Sequence, residues 1–186
     1  MLPADGCACR SCADLLASGH GRRNFLRLAG LGTIGAVLAP YGAWGQVKPT
    51  YDAMVLSCID PRIIDPVNRY LAQNNLLGKY SQFTIAGAAV AVEAPLFRSW
   101  HQTFWDNLAT SIDLHKINRL IAIDHRDCGA AKLAYGPDSI ATRAKETETH
   151  RKVLALFKHQ MHQRHPTMAV EGYLMDLDGQ VERLTS

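Results

Sequence analysis

"LIAIDHRDCG", residues 120–129, joins an apolar run to a histidine and a cysteine. Leu120 to Ile123 is a purely apolar run, which predicts a buried strand. His125 and Cys128 follow three residues apart, just beyond the end of that strand. In parallel α/β sheets, ligands bind beyond the carboxyl ends of the strands. The pair is therefore a candidate metal site, and the alternative is a buried imidazole beside an inert thiol.

A second strand end, further upstream, supplies another cysteine. Residues 53–56 are an apolar run that predicts a strand, and this run leads into Cys58. If the two strands are parallel neighbours, Cys58 lies beside His125 and Cys128. Two thiolates and one imidazole form a ligand set that Zn²⁺ favours, and three protein ligands leave a fourth tetrahedral position open, as in catalytic zinc sites.

Two charged residues follow Cys58 closely. Asp60 comes two positions after it, and Arg62 comes two positions further on. A carboxylate this close can bind zinc as the fourth ligand or accept a hydrogen bond from zinc-bound water, and Arg62 can pair with Asp60 and hold it off the metal. Because two thiolates leave zinc nearly neutral, such help in activating water is needed. The alternative is a surface ion pair at a turn.

Predicted strands and helices alternate from residue 46 onward. The predicted strands are 53–56, 82–86, 120–123 and 168–175, and the predicted helices are 65–75, 95–115 and 138–165. A turn at Asp178-Gly179 leads into an antiparallel edge strand, 180–184. The alternation predicts a single-domain α/β fold with a mostly parallel central sheet of four strands, plus the antiparallel edge strand, flanked by helices.

Three segments of the chain resemble the β-class carbonic anhydrases. They are C-x-D-x-R at residues 58–62, H-x-x-C-G at 125–129 and VEGYLMDLDGQVERL at 170–184. The resemblance spans most of the chain, from about residue 54 to 184.

This resemblance implies a set of functional residues and a reaction. It implies that zinc is bound by Cys58, His125 and Cys128, and that Asp60 and Arg62 govern access to the fourth position of the metal. The implied activity is that of a carbonate dehydratase: zinc-bound hydroxide attacks carbon dioxide, and the reversible hydration yields bicarbonate. The resemblance also implies a homodimer or a higher homo-oligomer, with active sites at the subunit boundary.

The sequence departs from the family pattern beside the predicted site. The family commonly has small polar residues at two of these positions, a glycine before the histidine and an Arg-Asn pair after the second strand. The residues found instead are Pro61, Thr84, Ile85, Asp124 and Arg126. Because these changes alter the wall of the site and not its ligand set, two alternatives stay open. One is a carbon disulfide or carbonyl sulfide hydrolase with the same zinc site, and the other is a degenerate, zinc-stabilised binding module.

Residues 1–45 have the features of a twin-arginine export signal. Arg22-Arg23 precede a short apolar stretch rich in glycine and alanine, 28–40, and small residues flank Trp44 at a potential cleavage site. We therefore predict a signal peptide at 1–45 and a carbonic-anhydrase-like domain at 46–186, exported to the periplasm or another extracytoplasmic compartment. The alternatives are an amphipathic helix with a chance arginine pair and an uncleaved membrane anchor; after cleavage, no stable membrane span is expected.

Signal cleavage would remove three of the five cysteines. Cys7, Cys9 and Cys12 form a C-x-C-x-x-C cluster before the arginine pair, where a working metal site of the mature protein is not expected. Cys58 and Cys128 remain, and in an exported protein a disulfide between them is an alternative to metal binding.

Composition narrows the class of partner. The 186-residue chain has a formal charge of +3 and is 47% hydrophobic, which favours one globular domain and does not indicate nucleic-acid binding. The expected partner is therefore a small-molecule substrate, carbon dioxide or bicarbonate. Two weaker patterns have structural alternatives. Histidines 159, 162 and 165 suit the end of a helix as well as a metal, and aromatic residues 100, 104 and 105 suit a core or dimer contact as well as a ligand pocket.

Overall fold

The computed structural model describes residues 51–185. The predicted export segment 1–45, with its three cysteines, lies outside the described residues, as do residues 46–50 and 186.

A five-stranded mixed sheet forms the centre of the fold. Its strands are β1 (Ala53–Ser57), β2 (Tyr80–Thr84), β3 (Arg119–His125), β4 (Ala169–Met175) and β5 (Val181–Arg183). The spatial order is β2-β1-β3-β4-β5; the first four strands are parallel, and β5 pairs antiparallel with β4. This arrangement confirms the predicted α/β fold class. It also makes β1 and β3 direct neighbours, with Ser57 opposite Ile123, so the two strand ends that carry candidate ligands meet.

Within residues 51–185, five α-helices flank the sheet. They are α1 (Ile64–Gln73), α2 (Ala89–Glu93), α3 (Arg98–His115), α4 (Gly129–Tyr135) and α5 (Arg143–Arg164). Three short 3₁₀ turns in the same part of the chain, each beginning at a proline, lie at 61–63, 95–97 and 137–140. The last two replace the amino ends of the predicted helices 95–115 and 138–165, because proline fixes the backbone angle φ and removes an N–H donor. The first precedes α1, which begins one residue before its predicted start. The long predicted helix 138–165 is thus a 3₁₀ turn followed by α5, whose first turn is capped by the Thr142 hydroxyl.

The core lies on both faces of the central strands. All five residues of β1 are buried, as are six of the seven in β3. The α5 helix contributes an apolar face to this core, made of Val153, Leu154, Phe157 and Met161. Strand β2 is half-exposed at the edge, and it ends at Thr84, two residues before the predicted end at Ala86. Within residues 51–185, no helix has both the length and the hydropathy needed to cross a bilayer.

Candidate metal centre

Three buried side chains converge beyond the carboxyl ends of β1 and β3. The Cys58 and Cys128 sulfurs and a ring nitrogen of His125 all lie within 4.8 Å of one another, and the three residues are 6%, 1% and 0% exposed, respectively. Cys58 follows β1 directly, His125 is the last residue of β3, and Cys128 precedes α4. The two sulfurs are free thiols, so the alternative of a disulfide between them is not the state of this structure.

The ring of His125 is held so that one nitrogen is available. Its Nδ1 donates a hydrogen bond of 2.8 Å to the Arg126 carbonyl oxygen, which leaves Nε2 as the unprotonated atom of the neutral ring. Nε2 is fully buried and makes no hydrogen bond to any residue in the part of the chain that the structure describes. Buried polar atoms are normally paired, so an unpaired Nε2 indicates that a partner is missing. A metal ion would be such a partner.

The two thiols differ in how readily they ionise. The hydrogen bond from the Cys128 thiol lowers the pKa of Cys58, and a hydrogen bond of 3.1 Å from the Gly87 N–H to the Cys58 sulfur acts in the same direction. The same Cys58–Cys128 contact raises the pKa of Cys128. Gly87 has a positive φ of 89°, and an added Cβ would lie 2.8 Å from the Ala130 Cβ, so only glycine fits this turn.

The Asp60 carboxylate lies at the edge of this cluster and is bound to Arg62. Oδ1 of Asp60 accepts the Arg62 backbone N–H at 2.9 Å and Nε at 3.0 Å, and Oδ2 accepts Nη2 at 2.7 Å. These bonds lower the pKa of Asp60 to about 2. Oδ2 also lies 3.9 Å from Nε2 of His125, so the carboxylate borders the predicted metal position while Arg62 holds both of its oxygens.

Asp127 is a second partner of Arg62 that sequence reasoning missed. Its Oδ2 accepts Nη1 of Arg62 at 2.7 Å, and its carbonyl oxygen accepts Nη2 at 3.0 Å. Asp127 has a left-handed φ of 54°, which turns the chain between His125 and Cys128. Arg62 therefore ties the loop after β1 to the loop after β3. The available signal in the sequence was a carboxylate inside the H-x-x-C segment, since Arg62 has more donors than the Asp60 carboxylate uses.

Two cavities lie near the end of β1. One, of about 270 Å³, has Cys58 in its wall, together with Ile63, Val67, Asn68 and Gln82. The other, of about 320 Å³, is apolar and includes none of the three candidate ligands; it is lined by Ile59, Thr84, Ile85, Ala86, Trp100 and Thr103. Trp100 therefore belongs to a pocket wall, whereas Phe104 is a fully buried core residue and Trp105 stacks against the guanidinium of Arg164. Histidines 159, 162 and 165 lie at the far end of α5, with the first two exposed, and are not part of the buried cluster.

The donor set fits a zinc ion. Two thiols and an imidazole are soft to intermediate donors, which Zn²⁺ prefers over the all-oxygen sets of Mg²⁺ and Ca²⁺. The unpartnered Nε2 and the easily ionised Cys58 sulfur are the atoms that such an ion would engage first.

Comparison with known proteins identifies related chains. Residues 49–185 match the protein family described as "putative carbonic anhydrase". An uncharacterized protein of Rickettsia bellii (strain RML369-C) is 31% identical over 131 residues, which is 70% of this chain and 80% of that protein. An uncharacterized protein of Rickettsia conorii (strain ATCC VR-613 / Malish 7) is 30% identical and covers 70% of each chain.

A solved structure shares the fold. The crystal structure of a β-carbonic anhydrase of the fungal pathogen Aspergillus fumigatus superposes with a TM-score of 0.51 at 11% sequence identity, over 74% of this chain and 78% of that one. At this identity, the likeness concerns the fold alone.

Proposed function

This chain belongs to the family described as "putative carbonic anhydrase", and from that membership we propose that it is a zinc-dependent enzyme that reversibly hydrates carbon dioxide to bicarbonate. The observation that carries the proposal is the convergence of two buried thiols with a histidine nitrogen that has no hydrogen-bond partner among residues 51–185. In this proposal Cys58, His125 and Cys128 are the zinc ligands.

The proposed site divides its work between the metal and the side chains around it. Zinc bound there would supply a Lewis acid that lowers the pKa of water. Arg62 fixes the Asp60 carboxylate at the edge of the ligand cluster and keeps it ionised, so Asp60 is placed to accept a hydrogen bond from water at that edge. Asp127 anchors Arg62 from the opposite loop, which restricts the swing of the Asp60–Arg62 pair.

The cavity that includes Cys58 supports a small substrate. It has a volume of about 270 Å³ and is lined by apolar side chains, such as Ile63 and Val67, and by polar ones, Asn68 and Gln82. A molecule as small as carbon dioxide fits this space beside a proposed zinc ligand.

Metal analysis combined with stopped-flow hydration tests the proposal. The purified chain is expected to contain stoichiometric zinc and to hydrate carbon dioxide, and both properties should disappear after chelation and return with added zinc. Stoichiometric zinc without hydration at neutral or alkaline pH would contradict the carbon dioxide assignment. Hydrolysis of carbonyl sulfide or carbon disulfide by that same protein would then favour the sulfur substrates, and no turnover of any of them would favour a binding module.

We also propose that the chain is exported by the twin-arginine route and works as a homodimer or a higher homo-oligomer. The paired arginines and the apolar stretch after them support export. The resemblance to β-class carbonic anhydrases supports a homo-oligomer, and light scattering of the purified domain tests it, since a monomer at micromolar concentration would contradict it.

A further inference from the structure

The buried face of α5 changes from apolar to polar where it passes the metal centre. The second half of that face is apolar and packs in the core. In the first half, the same face carries Glu146 and His150, which are 6% and 0% exposed. Buried polar and charged side chains destabilise a fold unless they are paired, so their partners indicate what they are for. Within residues 51–185, their side-chain partners are Asp124, Arg126 and Asp127, which lie at the end of β3 and in the loop that follows it.

His150 is bonded to the residue that precedes His125. Its Nδ1–H donates a 2.8 Å hydrogen bond to Oδ2 of Asp124, and both side chains are fully buried. The other oxygen of Asp124 accepts the Ala89 backbone N–H at 2.9 Å. Ala89 lies two residues after Gly87, whose N–H donates to the Cys58 sulfur. These hydrogen bonds connect His150 to the strand that carries His125 and to the turn that contacts the Cys58 sulfur.

Glu146 is bonded to the two residues that follow His125. Its Oε1 accepts the Asp127 backbone N–H, and its Oε2 accepts Nη1 of Arg126 at 3.3 Å. The buried Arg126 guanidinium also contacts oxygen atoms of three other side chains at 2.8–3.0 Å: Thr147, Asp176 and Glu182. The carbonyl of Arg126 is the acceptor that orients the His125 ring. Glu146 therefore fixes the segment between His125 and Cys128.

We propose that Glu146 and His150 are positioning residues, a polar stripe one helical turn long that sets the geometry of the metal centre from behind. The inference rests on the proposed zinc site, which it deepens. Asp124 and Arg126, the two departures from the family pattern on either side of His125, are the groups that this stripe binds. Partners behind metal ligands orient those ligands, and their loss typically reduces metal affinity or activity roughly 10–100-fold.

Two pairs of variants test the stripe. His150→Leu and Glu146→Ala remove the hydrogen bonds, whereas His150→Asn and Glu146→Gln keep an amide donor or acceptor at the same place. Phe157→Leu is the control, because Phe157 is fully buried on the same helix in the apolar half of that face. Urea denaturation of the metal-free proteins, zinc affinity by competition with a chromophoric chelator, and the absorption spectrum of the cobalt-substituted proteins are measured for each.

We expect His150→Leu and Glu146→Ala to bind zinc roughly 10–100-fold more weakly than the wild type and to change the thiolate-to-cobalt and d–d absorption bands. His150→Asn should recover most of the affinity and the wild-type spectrum, and Glu146→Gln should recover part of them, because the amide keeps an acceptor for only one of the two donors that bind Glu146. Phe157→Leu should lower the urea midpoint yet leave zinc affinity and spectrum unchanged.

The inference is overturned if His150→Leu and Glu146→Ala lose stability as Phe157→Leu does while keeping wild-type zinc affinity and cobalt spectrum; the proposed function then stands without it. Losses of equal size in the amide variants would also overturn it, because the hydrogen bonds would not be what matters. A wild-type chain that binds no zinc would remove both the inference and the proposed site. Two independent positions carry the test, so one variant that does not fold leaves the other to decide.

Discussion

Cys128 tests the candidate ligand set most directly among single residues. It is almost fully buried, and its sulfur contacts that of Cys58 within the cluster. We predict that Cys128→Ser loses zinc, because a hydroxyl is a far poorer ligand than a thiolate. Elemental analysis after dialysis should give stoichiometric zinc for the wild type and little for the variant. Zinc should raise the melting temperature of the wild type alone, and a variant that keeps stoichiometric zinc would contradict the assignment.

Asp60 tests the division of work at the same site. It borders the cluster but is bound through both oxygens to Arg62. We predict that Asp60→Asn retains zinc and loses roughly 10–100-fold in kcat/KM for carbon dioxide, since the neutral amide no longer forms the charge-assisted pair with Arg62 that holds this acceptor in place. Asp65→Asn is the control, because Asp65 is exposed on α1. Unchanged kcat/KM in Asp60→Asn would contradict the role, and loss of zinc would instead place Asp60 on the metal.

Glu93, the last residue of α2, makes that short helix sensitive to pH. Burial raises the pKa of its carboxyl from 4.5 to about 7, while Gln160 on α5 donates a 2.9 Å hydrogen bond to Oε2. The other oxygen is buried without a partner among residues 51–185. Because the folded-state pKa lies above the unfolded value, the contribution of this group to stability is fully present below pH 4.5 and is lost as the pH rises through about 7.

We therefore predict that Glu93→Gln is more stable than the wild type at pH 8, by on the order of 1–3 kcal/mol, and nearly equal to it at pH 4.5. Urea denaturation at both pH values measures the difference. Glu148→Gln is the matched control on the exposed side of α5, where ion pairs with Arg151 and Lys152 lower the carboxyl pKa. That control should show no gain at pH 8, and a pH-independent effect of Glu93→Gln would show that its carboxyl does not titrate as described.

Gly172, in the middle of β4, packs closely against α5 and Thr185. A Cβ at this position would lie 2.8 Å from Cγ2 of Thr185 and 3.1 Å from Cδ2 of Leu154. Gly172→Ala should lower the free energy of unfolding by about 1–2 kcal/mol through overpacking. Gly129→Ala is the control, since a Cβ there would have no atom within 4 Å beyond its chain neighbours and the backbone of its own helix. If Gly172→Ala and the wild type have equal midpoints of urea unfolding, Thr185 moves to make room for the added methyl group and the predicted overpacking does not occur.

The elements that sequence could predict are those with long or strongly apolar patterns. The buried runs of β1, β3 and β4 and the three long helical segments were placed correctly to within a few residues at most boundaries. The short helices α2 and α4 were missed, because five and seven residues span two helical turns or fewer and show little periodicity.

The candidate site divides in the same way. Cys58, His125 and Cys128 were predictable because each follows a recognisable strand end. Asp127 and Glu146 were not, since their roles depend on backbone N–H groups and a left-handed turn that no local pattern reveals. Glu146 and His150 could be recognised only once the structure showed which face of α5 is buried. They lie one turn apart on that face, which is otherwise apolar.

The topology of the whole molecule would couple the proposed metal binding to folding. Cys58 and Cys128 are 70 positions apart in the chain, and they meet only when β1 and β3 have paired at the centre of the sheet. The unfolded chain has no such site, so zinc bound there would add to stability, by about 2.7 kcal/mol at a free concentration of 100 times Kd. Folding and metal loading before the proposed export would suit the twin-arginine route, which carries folded proteins.

Export itself is testable in the full chain. We predict that replacing Arg22-Arg23 by Lys-Lys leaves the protein in the cytoplasm as full-length, zinc-containing chain, because the arginine pair is the feature that the route recognises. Arg27→Lys is the matched control: it makes the same chemical change four positions beyond the pair, and it should be exported like the wild type. Cell fractionation, immunoblotting and the mass of the exported chain provide the measurement, with loss of about 45 residues expected on cleavage. Equal export of the Lys-Lys variant would contradict the route, and an exported chain of full length would indicate an uncleaved anchor.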